Sequence, residues 1–396
     1  MNSKHQAAAT HCVHAGEDRH GRNAPLVTAI EQTAVFALKN VEQLERHNRG
    51  DKDVYIYTRM GNPTVRAAEE KIATLEGAED CVVTASGMAA EHAAALAVCQ
   101  AGDEIVSLLD VYGGTSNLFK NVLTRCGIKT RFVPFDQLSR IGRYFTKKTR
   151  MLFLETPVNP TMRCVDIAAL AAEAHRRGIV VVVDNTFATP ILQKPLALGA
   201  DIVVHSATKY LGGHSDLTAG AVVASKEWIG KIRPIVVLTG ANSDATIAWL
   251  LLRGMKTLEL RVERAGANAQ KVAEFLAAHP RVQKVFFPGL PDSPDHALAS
   301  RQMSGFGMMV SFDIKGGGRA ARKFIDALRL WYLAPSLGGV ESTVSYPKLA
   351  SHVSYSAAEL AQVGVSEATI RLSVGIEDAQ DLLADFAQAL KKSALK

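Results

Sequence analysis

One lysine of the chain follows an apolar run and has a hydroxyl-bearing residue on each side. Lys209 comes after the run 202–204, with Thr208 before it and Tyr210 after it. A lysine just past a buried strand is partly removed from water, and this disfavours its charged form. The neutral amine is the nucleophile in covalent catalysis. Lys209 is therefore a candidate nucleophile, whereas an exposed lysine before the turn at 212–213 is the ordinary interpretation of this residue taken alone.

An acidic residue closes a second apolar run, 180–183, which consists of four valines. In an open α/β sheet, ligands bind outside the carboxyl ends of the strands. Asp184 is thus predicted at the ligand-binding edge, 25 residues before Lys209, a separation of about one strand–connection–strand unit. The alternative interpretation is a helix-capping or turn aspartate, which is common after a strand.

An anion-binding segment is predicted where the short strand 81–83 leads into the alanine-rich helix 88–99. The first backbone N–H groups of a helix have no partner inside it, and the helix dipole attracts negative charge to that end. Ser86 suits the capping position just before the helix. A plain capped helix without a ligand explains this segment equally well when it is taken alone.

Together these groups match the binding requirements of pyridoxal 5′-phosphate (PLP). Lys209 would form a Schiff base, and Asp184 would pair with a protonated pyridine nitrogen. The helix start, with the hydroxyls of Ser206 and Thr208, would hold the phosphate. The electron-withdrawing chemistry of PLP depends on that protonated nitrogen and on firm anchoring.

Composition indicates a globular enzyme rather than a nucleic-acid-binding protein. The chain has 396 residues, of which 47% are hydrophobic and 21% charged, and a formal net charge of +6. These are ordinary values for a globular protein, and the length suits two domains, one of them large. The densest basic runs, 147–150, 176–177 and 391–392, contain no aromatic residues. We therefore expect no nucleic-acid partner.

The cysteines indicate a reducing compartment. They are dispersed without a C-x-x-C pair, at positions Cys12, Cys81, Cys99, Cys126 and Cys164. An odd, scattered set argues against a disulfide framework. The first 21 residues have no apolar stretch typical of a signal peptide. No run approaches the roughly 18–20 apolar residues of a membrane span. We expect a cytoplasmic protein with no membrane partner.

The elements that must position these groups alternate along the middle of the chain. Between 61 and 260, short Val/Ile-rich runs alternate with amphipathic stretches, which predicts an α/β domain with a mainly parallel central sheet covered by helices. Residues 261–396 read as a smaller α+β C-terminal domain. Residues 1–60 lack strong periodicity and are predicted to form an N-terminal arm that contacts a neighbouring subunit.

The motifs resemble those of the Cys/Met-metabolism transsulfuration enzymes, a PLP-dependent family that includes cystathionine γ-lyase, cystathionine γ-synthase, cystathionine β-lyase and methionine γ-lyase. The attachment segment 206–216, SATKYLGGHSD, is similar to the PLP signature of that family. Further matches lie at 57–64, 86–88, 110–115, 155–161, 288–290, 336–342 and 371–378. The resemblance covers the chain from about residue 10 and implies the fold type I architecture of PLP-dependent transferases.

The resemblance implies which residues bind the cofactor. They are Lys209, Asp184, Tyr112, Gly87, Met88, Ser206, Thr208, Tyr57 and Arg59. Lys209 would hold PLP and transfer protons, while Tyr112 would stack on the ring and assist catalysis. Gly87 and Met88 would contribute backbone N–H groups to the phosphate. Tyr57 and Arg59 would reach the phosphate of the adjacent subunit, which implies an active dimer and, by family, a homotetramer formed as a dimer of dimers.

The resemblance also implies how an amino-acid substrate binds. Arg371 would clamp its carboxylate, a bidentate task that suits a guanidinium. Asn159, Ser336 and Tyr57 would complete the substrate site. Glu341 lies in a Gly-Gly-Val-Glu-Ser pattern typical of cystathionine γ-lyases and γ-synthases, and its carboxylate would meet the distal ammonium of cystathionine.

Two positions bear on the choice of subfamily. Gly114 stands where methionine γ-lyases often carry cysteine, which counts against methionine γ-lyase. The segment 343–347 is not typical of either cystathionine enzyme. The expected activity is γ-elimination of cystathionine to cysteine, 2-oxobutanoate and ammonia. The alternatives are γ-replacement, as in cystathionine γ-synthase or an O-acyl-homoserine (thiol)-lyase, and the methionine γ-lyase or cystathionine β-lyase reactions.

Three other interpretations compete with a PLP enzyme. The segment 316–321 fits a loose dinucleotide-binding pattern, but no alternating sheet surrounds it. A PLP-fold protein without catalysis would have lost Lys209, Tyr112 or Arg371, and all three are present. The residues 11–14, His-Cys-Val-His, have no further ligand at zinc spacing, and we expect no metal site.

Overall fold

A computed structural model describes residues 6–17, 25–51, 53–350, 360 and 362–394 of the chain. Two β-sheets organise the structure, the first with seven strands and the second with five. The strands of the first sheet are β1 (Asp80–Thr84), β2 (Glu104–Leu108), β3 (Lys129–Val133), β4 (Thr149–Glu155), β5 (Val180–Asp184), β6 (Ile202–His205) and β7 (Gly220–Ala224). Those of the second are β8 (Val282–Phe286), β9 (Met309–Ile314), β10 (Tyr332–Leu333), β11 (Thr343–Ser345) and β12 (Thr369–Ser373).

The first sheet is mainly parallel, as the sequence predicts. Its spatial order is β1-β7-β6-β5-β4-β2-β3, and only β7 runs antiparallel to its neighbours. The valines of β5 are buried on both faces apart from half-buried Val180, because helices cover the two sides of the sheet. The predicted strands fall within a few residues of the observed ones, but β3 and β7 are additional.

Helices connect and cover the strands. The α-helices are α1 (Ala8–His14), α2 (Val41–Asn48), α3 (Pro63–Glu76), α4 (Gly87–Val98), α5 (Gly113–Asn117), α6 (Ile167–His175), α7 (Thr189–Leu192), α8 (Lys226–Thr239), α9 (Ala245–Met255), α10 (Leu258–Ala278), α11 (His296–Gln302), α12 (Gly317–Ala327) and α13 (Ala379–Lys392). A π-helix spans Leu118–Val122, and 3₁₀ segments span Leu123–Cys126, Phe135–Arg143, Pro195–Leu198 and Pro347–Leu349. Within the described ranges, no helix has the length and apolar character needed to cross a membrane.

Local signals explain where α3 begins and ends. Asn62 caps its first turn by accepting hydrogen bonds from the backbone of Thr64 and Val65, and Pro63 occupies the first helical position. Gly77 ends the helix with φ of 74°, a left-handed conformation that favours glycine. The residues at which α3 begins and ends are therefore set by its own sequence.

Helix α10 joins the two halves of the molecule. Its first part contributes Leu258 and Val262 to the core of the first sheet, while Val272 and Leu276 belong to the core of the second. The sequence predicts one helix over 246–276, but the chain breaks between α9 and α10, where the Thr257 hydroxyl donates to a backbone carbonyl. The domain limits near residues 60 and 260 stay a prediction.

Two segments that the sequence singled out belong to the framework. Residues 316–321 form the start of α12, just after β9 of the second sheet. This sheet is mostly antiparallel and unlike a dinucleotide-binding sheet. Cys12 is buried in the main core. In the part of the chain with described positions, no three His, Cys, Asp or Glu side chains are grouped to hold a metal ion.

Candidate active site

A cavity of about 400 Å³ opens at the carboxyl ends of the parallel strands, between the two sheets. Residues from β4, β5, the segment after β6, the start of α4 and strand β12 meet there. Its lining consists of Ser86, Gly87, Met88, Glu91, Tyr112, Glu155, Asn159, Asp184, Thr186, Phe187, Ser206, Thr208, Lys209, Thr218, Pro335, Ser336, Leu337, Ala350 and Arg371. The cavity thus contains most of the site residues predicted from the sequence.

Lys209 lies four residues past the end of β6, with its amine in the cavity. Its Nζ donates a hydrogen bond of 2.5 Å to Ser336 Oγ, and Ser336 adopts a φ of 75° in the left-handed region. Burial lowers the pKa of Lys209 from 10.5 to about 8; the Arg371 charge lowers it further and Asp184 opposes the change. About a tenth of the amine is therefore neutral and nucleophilic at pH 7, a far larger share than at the ordinary lysine pKa.

Asp184 ends β5 and is buried at the inner end of the cavity. Its Oδ1 accepts a 2.8 Å hydrogen bond from the backbone N–H of Thr186. Burial raises the pKa of this carboxyl, while the Thr186 hydrogen bonds and the charges of His205 and Lys209 act in the opposite direction. The carboxylate is thus oriented and available to a cationic partner inside the cavity.

The start of α4 forms an anion cradle with the segment after β6. Ser86 Oγ caps the helix by accepting from Ala89 N at 3.2 Å. Gly87 approaches Ser206 so closely that an added Cβ would lie 2.8 Å from Ser206 Cβ. The start of α4 therefore lies directly against Ser206, and a residue larger than glycine at position 87 would displace its neighbours.

Arg371 lies on β12 and reaches the cavity as a buried side chain. Its Nη1 donates to Asn159 Oδ1 at 3.0 Å and its Nη2 to the Ser336 carbonyl at 2.9 Å. Arg371 Nε is buried and has no hydrogen-bond partner among the described residues. Burial lowers the pKa of Arg371 to about 10, which still leaves it cationic at neutral pH. A buried guanidinium with a free donor is suited to a carboxylate ligand.

Tyr112 lies at the cavity wall, just before α5. Its backbone N–H donates to Glu155 Oε2 at 2.7 Å, while the side chain remains 46% exposed. A Cβ added to Gly114 would lie 2.4 Å from Tyr112 Cε1 and 2.9 Å from Met88 Sδ. The absence of a side chain at Gly114 therefore makes room for the observed orientation of the Tyr112 ring.

Two buried carboxyls, Glu91 and Glu155, line the cavity although the sequence did not assign them roles. Burial, together with the Asp184 charge, raises the pKa of Glu155 to about 8 and that of Glu91 well above its usual range. Glu155 is the last residue of β4, so the strand-end argument applied to Asp184 also applies to it. Glu91 carries no such signal, because it lies within a helix.

Three predicted site residues lie outside this cavity. Tyr57 and Arg59 are on the N-terminal segment, where Arg59 Nη1 donates to the Val237 carbonyl at 2.9 Å. Glu341 accepts a hydrogen bond of 3.2 Å from Ser215 Oγ and is not among the residues that line the cavity. Within one chain, the structure thus separates these three from Lys209.

The donor set fits PLP. Asp184 and Lys209 supply the carboxylate and the amine, and the α4 start at Gly87 lies against Ser206, where backbone N–H groups and a hydroxyl could hold a phosphate. A profile of the family described as Cys/Met metabolism PLP-dependent enzyme matches residues 9–391. The chain belongs to this family. Its cofactor is therefore pyridoxal 5′-phosphate, and it is a PLP-dependent enzyme of the carbon–sulfur lyase or γ-replacement type.

Individual members of the family resemble the chain along its length. An L-methionine gamma-lyase of Pseudomonas putida is 44% identical over 98% of each chain. A cystathionine gamma-lyase of Dictyostelium discoideum is 41% identical over 97% of each chain. The crystal structure of metB from Corynebacterium glutamicum superposes with a TM-score of 0.92, at 38% identity and 99% coverage of both chains. The fold type I architecture predicted from the sequence is thus confirmed.

Proposed function

We propose that this enzyme cleaves the Cγ–S bond of a thioether amino acid by γ-elimination, with L-methionine preferred over cystathionine. Methionine γ-lyases of several bacteria, at 41–44% identity, support this order. It reverses the sequence-based expectation of cystathionine γ-lyase. The observation that carries the proposal is the position of Glu341, which bonds to Ser215 and does not line the cavity.

The cavity lining favours a substrate with one charged end. Its lining includes the apolar side chains of Pro335, Leu337 and Phe187 as well as Arg371. Cystathionine carries a second ammonium and a second carboxylate at its far end. Burying these charges in the cavity would cost free energy unless groups of opposite charge paired with them. Within the described part of the chain, Arg371 and Lys209 are the two cations that line the cavity, and both have roles nearer the cofactor. The methyl thioether of methionine needs no such partner.

Arg371 binds the substrate carboxylate in this proposal. Its Nη groups are held by Asn159 and by the Ser336 carbonyl, so the guanidinium is oriented before the substrate arrives. The free Nε and the remaining N–H groups then face the carboxylate. A preoriented fork loses little conformational entropy when it binds, which favours a defined placement of Cα near Lys209.

Lys209 transfers the protons of the reaction. When bound, PLP withdraws electrons from the substrate and makes its Cα and Cβ protons acidic. The Lys209 amine takes the proton from Cα, releases it, and is then free to take a proton from Cβ. The Cγ–S bond then breaks, and sulfur leaves with the electron pair and takes up a proton. A pKa of about 8 allows this amine both to accept and to release protons near neutral pH. Tyr112 stacks on the cofactor and assists proton transfer from the opposite wall.

We also propose that the active unit is a dimer, within a homotetramer. The segment 25–60 exposes a series of large apolar side chains, which monomeric proteins rarely leave in water. They are Leu26, Val27, Ile30, Val35, Val41, Leu44, Tyr57 and Met60. A second copy of the chain would cover them and receive Tyr57 and Arg59 at its cofactor phosphate.

The described cysteines are unpaired, which supports a cytoplasmic location.

A substrate panel tests the proposed activity. Purified holoenzyme is given L-methionine, L-cystathionine, L-cysteine, or an activated homoserine ester with L-cysteine, and the keto acid, thiol or thioether formed is identified. We expect the highest kcat/KM for methionine, with 2-oxobutanoate and a volatile thiol as products. Lys209→Ala is the inactive control. Thioether formation from the homoserine ester as the fastest reaction would refute γ-elimination as the main function.

Cystathionine γ-lyase or γ-synthase chemistry remains the second candidate, because Glu341 lies five residues after Ser336, which lines the cavity. A Glu341→Gln variant distinguishes the two candidates. If methionine is the substrate, the variant retains its kcat/KM for methionine. If the Glu341 carboxylate binds the distal ammonium of cystathionine, kcat/KM for cystathionine falls about tenfold or more in the same variant.

A further inference from the structure

The cavity contains a carboxyl for which neither the cofactor scheme nor the proton transfers have a use. Glu91 lies in the second turn of α4 and is 5% exposed. Its side chain lines the cavity on the same side as Asp184 and Glu155. A buried carboxyl is expensive unless it is paired or protonated, so its retention beside two other acids requires an explanation.

The two oxygens of Glu91 have different surroundings. Oε1 accepts a 3.0 Å hydrogen bond from the hydroxyl of Thr115, a fully buried residue on α5. Oε2 is also buried and has no hydrogen-bond partner in the described parts of the chain. Glu91 thus joins α4 to α5 through one oxygen and leaves the other for a group inside the cavity.

The link to α5 controls the position of Tyr112. This residue immediately precedes α5, and its carbonyl accepts from Ser116 N at 3.0 Å in the first turn of the helix. Helix α5 also packs tightly on α4, because the space for a side chain at Gly114 is taken by Tyr112 and by Met88 of α4. The Glu91–Thr115 hydrogen bond therefore sets where the Tyr112 ring stands relative to the phosphate cradle at the α4 start.

Among the three acids, Glu91 has the fewest groups that stabilise a negative charge. Glu155 accepts two backbone N–H groups, from Tyr112 and Asn159. Asp184 accepts from Thr186 and feels the positive charges of His205 and Lys209. Among the described residues, Glu91 receives only the Thr115 hydroxyl, and its pKa is raised by burial and then by the charges of Asp184 and Glu155. When like charges share a site, the least stabilised acid retains its proton.

We propose that Glu91 is an additional positioning residue of the PLP site: as a neutral carboxylic acid, it holds the Tyr112 segment through Thr115 and would offer its Oε2–H as a hydrogen-bond donor to an oxygen of the bound cofactor. Because neutral Glu91 adds no negative charge near Asp184, Asp184 remains the anion that pairs with the pyridine nitrogen. The proposal concerns cofactor binding and holds whichever sulfur amino acid is the substrate.

Substitutions at Glu91 test this role through PLP affinity. Glu91→Gln keeps an uncharged hydrogen-bonding group of the same shape, whereas Glu91→Leu removes both hydrogen bonds. The dissociation constant for PLP is measured on each apoprotein by fluorescence quenching. We expect Glu91→Gln to bind PLP within about threefold of the wild type and Glu91→Leu about tenfold more weakly. Glu227→Gln, on an exposed part of α8, is the matched control and leaves the affinity unchanged.

A second variant covers the case in which Glu91→Leu does not fold. Thr115→Val removes the hydroxyl donor but keeps the size of the side chain, and we expect weaker PLP binding and an altered circular-dichroism band of the bound cofactor. Wild-type affinity in both Thr115→Val and Glu91→Leu, or equal losses in Glu91→Gln and Glu91→Leu, would overturn the proposal. The second outcome would mean that a negative charge is required at Glu91.

The protonation state is measured directly on the apoprotein by infrared spectroscopy. The difference spectrum between wild type and Glu91→Gln at pH 7 is expected to contain the C=O band of a protonated carboxylic acid. Loss of a carboxylate band instead would overturn the proposal. As the pH rises further, the wild type is expected to lose PLP affinity relative to Glu91→Gln, because its Glu91 becomes an anion beside Asp184 and Glu155. Parallel pH profiles of the two proteins would count against the proposal.

Discussion

Arg371 and Asn159 lie 212 positions apart in sequence and form a buried 3.0 Å hydrogen bond. This bond connects β12 of the second sheet to the segment that follows β4 of the first. Arg371 also holds the carbonyl of Ser336, whose hydroxyl accepts from Lys209 Nζ. The proposed carboxylate clamp and the proposed proton carrier are therefore joined through one residue, so the placement of the substrate and of the amine depends on how the two sheets meet.

The first prediction concerns that clamp. Arg371→Lys retains a positive charge but loses the planar fork, so it cannot serve Asn159, Ser336 and a carboxylate together. We expect KM for the amino acid to rise about 10–100-fold, while the absorption spectrum of bound PLP remains nearly unchanged. Steady-state kinetics and a spectrum of the holoenzyme check this. An unchanged KM would exclude Arg371 as the carboxylate-binding residue.

The second prediction concerns the pH dependence of cofactor attachment. The pKa of Lys209 is lowered by burial to about 8, so roughly half of the amine is neutral at that pH. The apoprotein forms an adduct with PLP that borohydride reduces to a stable product. The rate of adduct formation should rise with pH up to about pH 8 and then level off. Mass spectrometry of the reduced peptide measures it. A rate that continues to rise tenfold per pH unit up to pH 10 would show an unperturbed amine.

The same lowered pKa has a consequence for stability. Between pH 8 and 10.5 the unfolded chain binds a proton at Lys209 that the folded apoprotein does not. The contribution of this group to the free energy of unfolding therefore increases with pH across that interval. A comparison of urea unfolding of wild type and Lys209→Met apoprotein at several pH values isolates this contribution. The free energy of unfolding of the wild type minus that of Lys209→Met should therefore rise between pH 8 and 10.5. A difference that falls over this interval would contradict the prediction.

The third prediction concerns Gly114. In Gly114→Ala, the added Cβ would lie 2.4 Å from the Tyr112 ring, so that ring must turn away from its present orientation. We expect weaker stacking on the cofactor, seen as a changed circular-dichroism band in the visible region and a lower kcat. Gly230→Ala, where no atom lies within 4 Å of the added Cβ, is the matched control. Identical spectra for all three proteins would mean that the position of Tyr112 is not limited by Gly114.

The fourth prediction concerns shared sites between subunits. Arg59→Ala and Lys209→Ala chains are each expected to be inactive, because one lacks a phosphate ligand and the other the nucleophile. When the two chains are refolded together, mixed dimers contain one site with both residues intact, and activity should return in part. Activity is measured against the two refolded single variants. No recovery, with mixed dimers present by native mass spectrometry, would mean that Arg59 acts within its own chain or not at all.

Much of the cofactor site is predictable from local patterns. The valine run before Asp184 and the apolar run before Lys209 identify two parallel strands, and the carboxyl ends of such strands meet at one edge of the sheet. The Ser86 cap and the alanine-rich stretch after it identify the start of α4, where we propose that the phosphate binds. These inferences succeed because strand and helix periodicity is encoded by residues close together in the chain.

The relationships between distant segments were decided only by the tertiary structure. Nothing local indicates that Ser336 bonds to Lys209 across 127 positions, or that Glu91 faces Asp184 from within a helix. The same is true of β7, whose small residues enter the sheet in the reverse direction. The chemical types of the site residues were determined by the sequence itself. Their protonation and orientation were decided by packing, because both depend on burial and on neighbours contributed by other parts of the fold.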